Sequence, residues 1–127
     1  MLTDKECLEI AKPTVEAVVN LMAKNDYESM SDLVNNTAED LADLKDWVNS
    51  TLEMNELDGI DAYGVECNFH PQYEYHQLSV YPFDDESGFA VDYDLTTDGE
   101  QNDLTLQLEF KKLDNRLFDV SMGVDVL

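Results

Sequence analysis

Residues 89–97 read FAVDYDLTT. Phe89, Val91, Tyr93 and Leu95 take every second position, and Asp92 and Asp94 fall between them. A period of two marks a strand whose faces meet different surroundings, one packed and one wet. The same period recurs on both sides of this stretch, so strands are predicted at 63–69, 75–82, 88–97, 104–112 and 117–126. Residues 84–88 (DDESG) and 97–103 (TDGEQND) read as turns. Connections this short pair neighbouring strands antiparallel, as a meander.

Upstream of residue 57 the apolar period becomes helical. Thr3 and Glu6 have the spacing of a capping box. Cys7, Ile10, Ala11, Val15, Val18 and Met22 then share one face. Pro13 lies too deep for a first-turn proline, so a kink or a separate first turn is expected there. A short second helix is predicted from Tyr27, with Tyr27, Met30, Leu33 and Val34 inward. Thr37 caps a third, striped by Leu41, Leu44, Val48 and Leu52 and flanked by Trp47. The expected fold is one α+β domain over residues 1–127, helical to 56 and sheet from 57. Three N-terminal helices would pack on one face of a curved five-stranded antiparallel meander.

Parity constrains the last hairpin. Leu104, Leu106, Leu108 and Phe110 alternate, as do Phe118, Val120, Met122, Val124 and Val126. Opposed residues share a face, so even positions must meet even positions. A three-residue loop at 113–115 meets that condition and sets Phe110 opposite Phe118 and Leu108 opposite Val120. It also sets Glu109 against Asp119, a like-charge pair costing about 0.2–1 kcal/mol, and Asp103 against Asp125.

The chain has 127 residues and 43% hydrophobic composition, enough for a core, yet 29 acidic residues face 7 basic ones for a net charge of -22. Both halves share the excess, so it coats the domain. Such a surface repels nucleic acid and anionic membrane and attracts basic proteins. Cys7 and Cys67 match no metal or redox spacing and read as free thiols in a reducing compartment. The opening residues show no signal-peptide pattern, and no apolar run is long enough to span a membrane, so a cytoplasmic protein is expected.

The order of helices followed by a meander resembles the cone-shaped domains of the nuclear-transport-factor-like and cystatin-like group, and KNDYESMSDLV (24–34) looks like that group's short second helix. NDLTLQLEF (102–110) followed by FDVSMGVDVL (118–127) resembles a bacterial domain family of unknown function. The wider group includes polyketide-cyclase-like enzymes, steroid isomerases, association domains and toxin-immunity proteins. Shared fold does not choose among them.

The outward parity collects Asp92, Asp94, Glu109, Asp119 and Asp125, the candidate partner-binding residues. The preferred expectation is a non-enzymatic, monomeric binding protein for a basic protein. In its most concrete form it is an immunity protein neutralising a cationic toxin such as a nuclease. The alternative is a small-molecule-binding or enzymatic cone-fold protein. There His76, inward by parity with Leu78 and Val80, would act as base beside Tyr63 and Tyr93. Tyr73, Tyr75 and Tyr81 would be wall and rim. His70 and His76 straddle Pro71 without metal-ligand spacing, and Asp84, Asp85 and Glu86 suit a solvated turn. No nucleotide-binding or nucleophile motif is present, and no cofactor or metal is expected.

Overall fold

The computed structural model describes residues 2–65, 76–114 and 117–126. Helix α1 spans Asp4–Ala23 and helix α2 spans Ala38–Met54, with a 3-10 turn at Glu28–Asp32 between them. Strands β1 (Leu78–Pro82), β2 (Gly88–Thr97), β3 (Glu100–Lys112) and β4 (Phe118–Val126) form one antiparallel sheet in sequence order. The α+β class and the meander hold. Among the described residues there are two α-helices and four strands, where three helices and five strands were expected.

The second predicted helix is the 3-10 turn. Tyr27, Met30 and Leu33 recur every three residues, which is the 3-10 period. The Asp26 carboxylate accepts both the backbone N–H and the hydroxyl of Ser29, at 3.2 and 2.7 Å, and holds the turn's start. The predicted strand at 63–69 is not one where the structure describes it. Residues 57–65 run irregularly, and the Tyr63 N–H donates to the Asn20 side chain at 2.9 Å. Residues 66–69 lie outside the described residues, as do Cys67, His70, Tyr73 and Tyr75.

Local chemistry explains the helix starts. Thr3 and Glu6 close the expected capping box, with reciprocal bonds of 3.1 Å, and α1 continues through Pro13 as one element. The Thr37 hydroxyl accepts the Asp40 N–H at 3.1 Å. Cys7, Ala11, Val15, Val18, Val19 and Met22 bury one side of α1, and Leu41, Val48 and Leu52 bury one side of α2. Helix α1 packs on β1 and β2, and α2 packs on β4.

The sheet's inner face is Phe89, Val91, Tyr93 and Leu95 from β2 with Leu104, Leu106, Leu108 and Phe110 from β3, all buried. Phe89 stacks on Phe110 with ring centroids 4.7 Å apart, and Phe118 meets both edge-on at 5.7 and 6.2 Å.

The β2–β3 connection is tighter than predicted. Thr97 pairs with Glu100, so Asp98 and Gly99 alone make the turn, with φ of 54° and 77°. Asp-Gly with both φ positive is the primed hairpin turn that suits strand twist. A bulge follows, with Asn102, Asp103 and Leu104 opposing Leu95. Buried Asn102 stabilises it by accepting the Leu104 N–H at 3.0 Å and donating to the Thr97 hydroxyl at 3.1 Å.

The last hairpin keeps its parity and moves by one repeat. Phe110 faces Val120, Leu108 faces Met122, and Leu104 faces Val126. Leu113 and Leu117 close the loop, the Leu113 N–H donating to the Leu117 carbonyl at 2.9 Å. The shift replaces the expected Glu109–Asp119 repulsion by Lys111 opposite Asp119, with Glu109 opposite Ser121. Asp125 faces Thr105 in place of Asp103. Parity alone leaves shifts of two undecided, and here the charges favour the longer loop.

Candidate functional site

The outer face of the sheet is built from the residues that alternate with this core. One row across β1 to β4 reads Ser79, Asp92, Gln107, Gly123. The neighbouring row on β2 to β4 reads Asp94, Thr105, Asp125. Antiparallel pairing therefore gathers Asp92 and Asp94 of β2 and Asp125 of β4 on one face, with Thr105 of β3 at the centre.

Thr105 is 3% exposed although it lies on the wet face, covered by its neighbours, and its hydroxyl donates to Asp94 at 3.2 Å. Asp125 accepts the Val126 N–H at 2.9 Å. Burial pushes the Asp92 carboxyl above its ordinary range, and the charges of Asp94 and Asp125 push it the same way. The cross-strand neighbours of Asp92 are Ser79 and Gln107, neither of them basic.

Glu109 and Asp119 extend the same face toward the β3–β4 turn. Glu109 is exposed between Ala90 and Ser121. Asp119 stands opposite Lys111 and accepts the Asn35 side-chain amide at 2.8 Å. The five predicted binding residues thus share a face, with Asp92, Asp94 and Asp125 as its dense end. Thr105 and Asn35 were missed. Thr105 carries the outward parity and was legible in principle; nothing local ties Asn35 to a strand 84 residues away.

The residues of the alternative reading are placed differently. Tyr93 points into the core at 5% exposure, its ring centroid 5.3 Å from that of Tyr63, and its hydroxyl accepts the Gly64 N–H at 3.4 Å. Burial raises both tyrosine hydroxyls. His76, expected at an inward position, is exposed just before β1.

Among the described residues, no three His, Cys, Asp or Glu side chains converge closely enough to hold a metal ion. The acids of the outer face are spread as a surface and do not form a chelating centre. No described helix is long and apolar enough to cross a membrane.

Comparison with protein families matches residues 19–126 to a domain of unknown function, DUF7668. The chain belongs to this family. The match takes in the sheet, α2 and the end of α1, and agrees with the resemblance to a domain family of unknown function seen in the β3–β4 residues. No curated protein and no solved structure matches the chain.

Proposed function

We propose that this DUF7668 domain is a non-enzymatic binding protein for a basic protein, and that Asp92, Asp94, Glu109, Asp119 and Asp125 form its contact face. The observation that carries the reading is the gathering of Asp92, Asp94 and Asp125 on one face with no basic cross-strand neighbour at Asp92, whose carboxyl is pushed above its ordinary range first by burial and then by those two charges. Like charges gathered on one face of a sheet repel one another, and a cationic partner relieves them. The overall charge of -22 would steer such a partner in, raising association rates by about 10–1000-fold at low salt. An immunity protein that occludes the cationic site of a toxin such as a nuclease is the most concrete form of this function.

The order of helices followed by an antiparallel meander supports a relation to the cone-shaped nuclear-transport-factor-like group. The same charge opposes self-association through the outer face and favours a monomer. The free, buried thiol of Cys7 suits a reducing, cytoplasmic setting.

The test is capture of protein from a lysate at low and high salt, by wild type and by the double variant Asp92→Asn/Asp125→Asn. Basic proteins should be retained by wild type at low salt, released as screening shortens the Debye length from about 10 Å at 0.1 M, and poorly retained by the variant. Retention indifferent to both salt and variant contradicts the proposal.

A further inference from the structure

Strand β4 lies at the edge of the sheet, and the described residues cover only half of that edge. The Asn36 side chain acts as a substitute strand. Its amide donates to the Met122 carbonyl at 3.0 Å and its oxygen accepts the Met122 N–H at 2.8 Å. Beside it the Asn35 N–H donates to the Val120 carbonyl at 2.7 Å. These bonds show that the even-numbered backbone groups of β4 point away from β3. By the two-residue period, those of Val124 and Val126 point the same way. The Val126 N–H is taken by the Asp125 carboxylate. No described residue bonds the outward N–H and C=O of Val124.

We infer that the open half of β4, centred on Val124, takes up an extended segment of the basic partner as an added strand. This rests on the function proposed above and names how the partner engages. The side chains on the two faces select the occupant. Val124 is packed against the core and Val126 is 47% exposed, so an added strand with apolar residues on that side extends the apolar layer. Asp125 stands on the other side, so lysine or arginine at the alternate positions meets unlike charge. A second copy of this chain would bring its own acids there and is opposed by the net charge. The free stretch is short, so the added strand gains a few backbone bonds and draws its selectivity from the alternation.

The test uses acetylated, amidated hexapeptides and amide hydrogen exchange of the whole chain. Alternating Lys-Val-Lys-Val-Lys-Val should bind and slow exchange of the Val124 N–H by about tenfold or more. The permuted peptide Lys-Lys-Lys-Val-Val-Val should leave Val124 unprotected, and alternating Glu-Val should not bind. Val124→Pro removes an N–H that β3 does not use and should weaken the alternating lysine peptide about tenfold. Should that variant fail to fold, exchange at Val124 in wild type decides alone. Equal protection by the two lysine peptides, no protection by either, or binding of the glutamate peptide overturns the inference. Failure of the outer-face reading is seen separately, as Asp92→Asn/Asp125→Asn leaving capture of basic protein unchanged.

Discussion

Asp61 and Asp92 carry the same side chain and are pushed in opposite directions. Burial alone would raise Asp61, but the Gly99 N–H, the Thr96 hydroxyl and the Asp98 N–H together hold its carboxyl below the ordinary range. Those bonds, at 2.8, 2.8 and 3.0 Å, fasten the loop before the sheet to the Asp98-Gly99 turn. The stabilisation from Asp61 is complete above the unfolded carboxylate pKa of about 3.9 and is lost as pH falls through the lower folded value. Asp61→Ala should cost about 1–3 kcal/mol in urea unfolding at pH 7, and the difference from wild type should shrink under acid. Asp92 behaves in reverse. Its folded pKa is raised, so its ionisation weakens the fold: stability drops as pH climbs from about 3.9 through the higher folded value and stays reduced above it. Asp92→Asn should therefore melt about 1–3 °C higher than wild type at neutral pH, with little difference below the unfolded pKa. A lower melting temperature at neutral pH would show that the carboxylate serves the fold.

At the scale of elements, the β2–β3 ladder depends on a glycine and the β4 edge on an asparagine. A Cβ at Gly88 would lie 1.9 Å from the Phe110 carbonyl oxygen, and its φ is 154°. Gly88→Ala should lose about 1–3 kcal/mol, read by thermal or urea unfolding. Asn36→Ala should free the Met122 N–H, whose hydrogen exchange should accelerate while the β2–β3 amides keep their protection. The sequence announced β2, β3 and β4 because their alternation is long and clean. It also announced both α-helix starts, because Thr3 and Thr37 make their bonds locally. It misled where several outcomes share one pattern. Tyr27, Met30 and Leu33 suit a helix loosely and a 3-10 turn better. The residue alternation at 63–69 does not form strand through residue 65, where tertiary bonds from Asn20 and Asp61 hold the chain. In the last hairpin parity chose the face and left the shift of two to loop closure and to Lys111 against Asp119. The five acids of the candidate face were legible because outward parity is a local property. Their crowding was not, because it depends on the register that sets Asp125 beside Thr105 and Asp94.

For the whole molecule, one side of the sheet is apolar and roofed by α1 and α2, and the other carries carboxylates without basic cross-strand neighbours at Asp92. Asp119, opposite Lys111, is the place where the fold does pair its charges. A chain of net charge -22 with this face should sediment as a monomer at low ionic strength, and a dimer burying Asp92 and Glu109 would contradict the outer face as a site for cations. The most direct measurement is the salt dependence of binding between the captured basic partner and two forms of the domain, wild type and Asp92→Asn/Asp125→Asn. Wild type should bind tightly at low salt and weaken steeply as salt rises, and the variant should bind more weakly with a flatter slope. Identical affinities and slopes for the two forms would contradict a function seated on these carboxylates.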